Sequence, residues 1–335
     1  MIGVVVGTVL AALLVSLLLS PVEALGWWAG WYGEGLEQPH EASTAPYTPI
    51  GPRKQPRQYV VYLDGIAKVG AANYDDVQGL LDGLAAALPR TVILGDLMPY
   101  SVRNVGLLEE RALSWFWQRM FQFKLERRHP LIAFTINIRN LFQVLVAADP
   151  RYGRVYGRGE AQIILTSLLR AGYDPGSGVP ITIVGYSGGV QIGLAAAPFL
   201  KRALGAPLTM VSLAGVMASE AGLDVLDRLY HLEGSIDHVP GYGRALFPGR
   251  WRVMRRSHWN RLKDSGRLVE VAMGPMRHNG AGSYLDAGVL LNGRSHQERT
   301  ISVIAGILRG VATRGAEGGE APVSGPSRPS PRDGV

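Results

Sequence analysis

One short stretch of this chain has the residue types and spacing that nucleophilic chemistry needs. Gly185-Tyr186-Ser187-Gly188-Gly189 matches the pattern G-x-S-x-G. Small residues on either side of a serine let the backbone turn sharply and lift the hydroxyl clear of its surroundings. The pentapeptide alone is weak evidence, because the chain has 43 glycines and such a match arises easily by chance. The alternative reading is a glycine-rich turn with an incidental serine. Context favours the nucleophile. The apolar, β-branched run Ile181-Thr182-Ile183-Val184 precedes the motif, and a helical pattern from Gln191 to Leu204 follows it. In that strand-turn-helix setting the backbone N–H of Gly188 lies at a helix N-terminus, where it can stabilise an oxyanion.

Other chemistries find no support. The chain has no cysteine, which excludes disulfides, thiolate catalysis and cysteine-ligated metals. The seven histidines form no H-E-x-x-H pattern, and the glycine-rich turn lacks the Gly-Lys-Ser/Thr ending of a phosphate-binding loop. No metal and no cofactor is expected.

The elements that must position the serine can be read from hydrophobic patterning. Buried strands are expected at Tyr59–Leu63, Thr91–Leu94, Ile181–Val184, Leu208–Leu213, Leu229–Leu232 and Leu268–Ala272. Helices are expected at Tyr74–Leu88, Glu160–Ala171 and Gln191–Leu204. Strands alternating with helices imply an α/β fold, a mostly parallel central sheet with helices on both faces. From about 105 to 150 the alternation stops. Leu113, Phe116, Trp117, Met120, Phe121 and Leu125 form an apolar stripe beside Arg119, Lys124, Arg127 and Arg128. This stretch is read as a helical insertion before the serine turn, either plain core helices or a lid or membrane-resting helix.

With the turn and the alternation in place, the chain resembles the α/β-hydrolase superfamily from about Tyr59 to Leu308. The resemblance implies a triad in the chain order nucleophile, acid, histidine. Ser187 would be the nucleophile. The acid would follow the strand ending in Tyr230-His231-Leu232-Glu233-Gly234-Ser235-Ile236-Asp237, and Asp237 is the choice. Asp224, Asp227 and Glu233 are weaker candidates. The histidine would follow the last strand, which selects His278 in Gly274-Pro275-Met276-Arg277-His278-Asn279-Gly280. His258 precedes that strand, His296 opens the terminal helix, and His231 and His238 come too early. The oxyanion hole would combine the N–H of Gly188 with that of Ile66, in the loop Asp64-Gly65-Ile66-Ala67. Many members of the superfamily carry His-Gly where this chain has Asp64-Gly65. A carboxylate aimed at an oxyanion would oppose catalysis, so Asp64 is expected to bond local backbone groups instead.

The N-terminus adds a second theme. Ile2 to Leu19 is an almost unbroken apolar run, ended by Pro21 and followed by Trp27, Trp28, Trp31 and Tyr32. Its length sits at the lower limit for a bilayer span, and the aromatic residues suit a membrane interface. Residues 1–32 are therefore expected to be a single membrane anchor. The alternative is a signal segment cleaved near Val22-Glu23-Ala24, leaving a secreted protein. Residues 33–56 read as a linker, 57–312 as the hydrolase domain and 313–335 as a disordered tail. The net charge is +7, but the basic residues are scattered, which argues against nucleic acid and allows weak attraction to anionic lipid headgroups.

The expected function is a membrane-associated serine hydrolase acting on a small-molecule or lipid ester through an acyl-enzyme. The alternatives are an amidase or peptidase with the same triad, and a catalytically silent relative that binds a lipid or protein partner. Ser257-His258-Trp259-Asn260, a polar-aromatic stretch with no assigned element, leaves room for the silent reading.

Overall fold

The computed structural model describes residues 56–65, 75–97, 141, 144–145, 147–288 and 293–317. The N-terminal apolar run, the linker up to residue 55, most of the 105–150 insertion and Ile66 lie outside the described residues. Among the described residues no helix is long and apolar enough to cross a membrane.

All six expected strands form. They are β1 (Gln58–Leu63), β2 (Thr91–Leu97), β3 (Ile181–Tyr186), β4 (Leu208–Leu213), β5 (Arg228–Gly234) and β6 (Leu268–Gly274). They make one sheet in the order β2-β1-β3-β4-β5-β6, with every neighbouring pair parallel. Each residue of β1, β3 and β4 is buried, as expected of strands covered on both sides.

The longer helices are α1 (Asp75–Ala87), α2 (Gly153–Arg170), α3 (Gly189–Leu204) and, after β6, α7 (His296–Glu317). Three short ones, α4 (Gly222–Val225), α5 (Val239–Leu246) and α6 (His258–Asp264), lie between β4 and β6. The period-2 alternation of side chains sorts them into two cores. Tyr59, Val61, Leu63, Ile183 and Met210 pack with α2, α3 and α6 through Ile164, Leu168, Leu194, Leu200 and Leu262. Val60, Tyr62, Val184, Val211 and Leu232 face the other way, onto α1 and α7 through Val77, Leu80, Leu84, Ile304 and Leu308.

The sheet order explains this division. From β1 the chain moves one way to β2, and from β3 it moves the other way to β4. Right-handed crossovers in opposite directions put α1 and α3 on opposite faces. The gap above β1 and β3 is where the winding reverses, and ligands of open α/β sheets bind at such a point, beyond the carboxyl ends of the strands. β3 ends there at Tyr186, immediately before Ser187.

Two boundaries differ most from the sequence expectation. α2 begins at Gly153, well before Glu160, because Gly157 and Gly159 dilute the apolar periodicity at its start. α7 continues to Glu317, past the expected start of the tail at 313.

Gly157 itself is required by packing. A Cβ there would lie 2.1 Å from the backbone oxygen of Ala195, so α2 can approach α3 this closely only with glycine at the contact. Gly157→Ala is expected to force the two helices apart and cost about 1–3 kcal/mol. Chemical denaturation of the two proteins side by side checks this.

Candidate active site

β3 delivers Ser187 at the switch point. Its backbone φ is 53°, in the left-handed region that non-glycine residues rarely occupy. Hydrogen bonds hold it there. The Ser187 N–H donates to Leu213 O at 2.9 Å, while Ser187 O accepts from Val190 N at 3.3 Å and from Val216 N at 3.2 Å. The flanking glycines have a steric role. A Cβ on Gly185 would meet the backbone of Val190 at 2.8 Å, and one on Gly189 would meet the carbonyl oxygen of Leu63 at 2.4 Å. The start of α3 thus presses against the ends of its own strand and of β1. Gly188 occupies the N-cap of α3, as expected.

β5 and β6 bring the other two expected residues to the same end of the sheet. His278 Nε2 lies 2.9 Å from Ser187 Oγ, and His278 Nδ1 lies 2.9 Å from Asp237 Oδ2. A carboxylate can only accept, so Nδ1 carries the proton and Nε2 is left to accept from the serine hydroxyl. The Asp237 side chain is fully buried and that of His278 is 13% exposed, which keeps the relay dry on the acid side and open on the serine side. The other Asp237 oxygen accepts from Val239 N at 2.9 Å, fixing the turn into α5.

Two tyrosines support this set, and sequence reasoning did not single out either. Tyr284 donates its hydroxyl to Asp237 Oδ2 at 3.0 Å and accepts the N–H of Gly234 at 2.6 Å, so it ties the acid to the end of β5. Burial first, and the nearby Asp237 charge second, push its phenol above the ordinary value, which keeps it a donor. Tyr186 stacks its ring on His278 at 5.6 Å between centroids and donates its hydroxyl to the His278 carbonyl. Tyr186 occupies the unspecified position of the serine motif, so its type carried no signal. Tyr284 is distant in sequence from every motif.

Asp64 behaves as expected. Its Oδ1 accepts from the N–H of Gly65 at 2.8 Å and from the hydroxyl of Tyr62 at 3.2 Å. The carboxylate is thereby held to its own turn. The position expected of the second oxyanion donor, Ile66, lies outside the described residues.

The rejected candidates sit elsewhere. Asp224 pairs with His258 at 2.6 Å and with Arg261, joining α4 to α6. Asp227 accepts from Leu208 N at 2.6 Å, at the opposite end of the sheet. His296 is buried at the start of α7. The buried His231 pairs separately with the partly exposed Glu233 at 2.7 Å. The stretch from Ser257 to Asn260 is structural. Ser257 caps α6 by accepting from Asn260 N, Asn260 Nδ2 binds the carbonyls of Trp251 and Met254, and Trp259 is buried beneath the Arg250 guanidinium, 3.8 Å from the ring centroid.

The strand order, the sharp serine turn and the chain order of nucleophile, acid and histidine are those of the α/β-hydrolase arrangement. No family model and no curated protein matches the chain. Solved structures with a similar chain path include esterase PE8, at 14% identity and a TM-score of 0.44 over 79% of this chain and 100% of that one. SOBER1 from Arabidopsis thaliana has 13% identity and a TM-score of 0.38 over 77% of this chain and 99% of its own. Carboxyl esterase 2 from the fungus Tuber melanosporum has 13% identity and a TM-score of 0.41 over 76% of this chain and 79% of its own.

A further titratable group is tied to the first turn of α3. Gln191, in the first turn of α3, accepts from Ala218 N at 2.7 Å and donates to Glu220 Oε1 at 2.6 Å. Burial pushes the Glu220 carboxyl up to about 8, against the lowering effect of the Gln191 bond. An acid with a raised native pKa binds more protons folded than unfolded, so stability falls as pH rises through the window from about 4.5 to about 8. Glu220→Gln keeps an acceptor for Gln191 and removes that titration. Its unfolding free energy is expected to decline less between pH 5 and pH 8 than that of the parent (endpoints approximate), read from denaturant melts across the range.

Proposed function

We propose that this chain is a serine hydrolase that cleaves a carboxylic ester through an acyl-enzyme. The observation that supports this most directly is the continuous relay Ser187 Oγ–His278–Asp237, with 2.9 Å at each step. His278 Nε2 takes the Ser187 proton as Oγ attacks the acyl carbonyl. Asp237 holds the Nδ1–H tautomer and stabilises the imidazolium. The N–H of Gly188, at the start of α3, is the first oxyanion donor, and Ile66 is the proposed second. His278 then protonates the leaving alcohol. Water, activated by the same imidazole, releases the acid and restores Ser187.

The specific grounds for a silent relative fall away on this reading. Asp64 is bonded to its own turn and the Ser257–Asn260 stretch caps and packs a helix. An amidase or peptidase would use the same atoms, and the leaving group decides between them. A membrane location, with an acyl or lipid ester as substrate, is proposed from the apolar run of residues 2–19.

The test is labelling with a fluorophosphonate probe. Wild type is expected to label, and Ser187→Ala and His278→Ala are not. Hydrolysis by Ser187→Ala should fall by roughly five to six orders of magnitude. Failure of the folded wild-type protein to label would sink the proposal. Esters of graded acyl length then define the substrate, with turnover expected to rise with chain length.

Tyr284→Phe separates support from chemistry. It removes one bond to Asp237 and leaves the Gly234 N–H without its acceptor. Turnover is expected to fall roughly ten- to hundredfold, with KM little changed, and the folded state to lose about 1–3 kcal/mol. Steady-state kinetics beside a denaturant melt reads both.

A further inference from the structure

Between the proposed acid and α6 the chain makes an excursion whose surface is unlike the rest of the described molecule. Half of the large exposed apolar side chains among the described residues lie within it. Tyr242 is 58% exposed, Leu246 62%, Trp251 48%, Val253 77% and Met254 48%, and Ile236, beside Asp237, is 43% exposed. The segment that carries them is held together by local bonds. Tyr242 and Leu246 are one turn apart on the same face of α5. Trp251 joins that helix through its indole N–H, which donates to Arg244 O at 2.8 Å, and Met254 N bonds back to Trp251 O at 3.0 Å. Asn260 Nδ2 binds the carbonyls of both Trp251 and Met254 from beneath. The apolar residues are therefore held outward on a fixed frame.

Charge follows the same segment. From His238 to Ser257 there is no Asp or Glu, whereas Arg244, Arg250, Arg252, Arg255 and Arg256 all fall within it. Arg250 is buried and Arg244 pairs with Glu233 at 3.0 Å. Arg252, Arg255 and Arg256 are exposed and alternate with Trp251, Val253 and Met254. Exposed apolar and aromatic side chains rimmed by arginine, on a projecting helix and turn, match an interfacial layer. The apolar part enters the acyl boundary and the guanidinium groups meet anionic headgroups. Such a patch exceeds what scattered surface residues produce and marks an interaction site.

We infer that Tyr242, Leu246, Trp251, Val253 and Met254, with Arg252, Arg255 and Arg256, form a docking surface for an anionic lipid bilayer. It holds the Asp237 side of the active-site opening against the membrane. The inference rests on this surface and not on the proposed chemistry, so either can fail alone.

The cysteine-free chain makes the test direct. Full-length protein carrying Val253→Cys is labelled with an environment-sensitive fluorophore and reconstituted into vesicles, in parallel with Ser177→Cys at the opposite end of the sheet. The vesicles are phosphatidylcholine alone, or phosphatidylcholine with phosphatidylglycerol, each with and without a spin-labelled quencher lipid. On anionic vesicles the probe at 253 is expected to shift to the blue and be quenched, and the probe at 177 to remain in water. Changing Arg252, Arg255 and Arg256 together to Gln should lower the docked-to-free ratio roughly a hundredfold. A probe at 253 that stays in water on anionic vesicles overturns the inference. So does equal quenching on neutral vesicles, which removes the arginines from the account. A blue shift on anionic vesicles that the spin-labelled lipid does not quench also overturns it. In that case another part of the chain, or at high concentration a second copy, covers the surface.

Discussion

The left-handed backbone at Ser187 is the constraint on which the site depends. A serine at φ 53° costs free energy that the local sequence cannot return. The return comes from elements that are distant in the chain. β4 supplies the Leu213 carbonyl to its N–H, and the segment beyond β4 supplies the Val216 N–H to its carbonyl. β1 approaches closely enough to exclude any side chain at Gly189. The turn therefore exists only when β1, β3 and β4 are already in register. Ala214 repeats the device one strand over, with φ 51° and its N–H bonded to Leu232 O at 2.9 Å. Each strand end is pinned by the next, and the sequence of pins leads from the serine toward the strand that carries the acid.

The same sheet contains a second serine, histidine and acid in contact, and the comparison shows what residue types alone do not decide. Ser212 Oγ lies 2.8 Å from His231 Nδ1, and His231 Nε2 lies 2.7 Å from Glu233. Ser212 and His231 are essentially without exposure, and Trp259 closes the ring edge at 5.9 Å. Burial holds the His231 imidazole below its ordinary pKa, and Gly215 leaves no room above Ser212 for another atom. That set is a buried polar network joining β4 to β5. Ser187 and His278 differ in standing past the strand ends, where a carbonyl can reach them.

Much of this was legible in the sequence because it depends on local patterning. Buried parallel strands are short apolar runs, and six were visible. The turn at Ser187 has its own composition. The approach of Asp237 and His278 to Ser187 was recoverable from chain order once the turn and strands were placed. What was not legible depends on contacts between distant segments. Tyr284 lies 47 residues from Asp237, and nothing near it in sequence marks the bond. The helix α6 was missed because about two turns give too little periodicity, and its Trp and Asn looked like binding residues when they are packing and capping ones. The early start of α2 was hidden by glycines that the helix needs for its approach to α3.

The excursion from His238 to Ser257 connects these observations. Between two neighbouring parallel strands the chain needs only to cross back, yet here it first extends over the carboxyl end of the sheet. Its inner side is well used. Arg250 lies buried over Trp259, where burial lowers its guanidinium to about 10 and the indole face takes the place of a carboxylate. Placing a cation in the interior is an expensive way to fasten a surface loop unless the loop must keep one shape. That shape begins at Asp237, whose carboxylate accepts the N–H that starts α5. The acid of the relay and the frame of the exposed apolar surface thus share a hydrogen bond. Asp237 therefore bonds both the first residue of that frame and the imidazole.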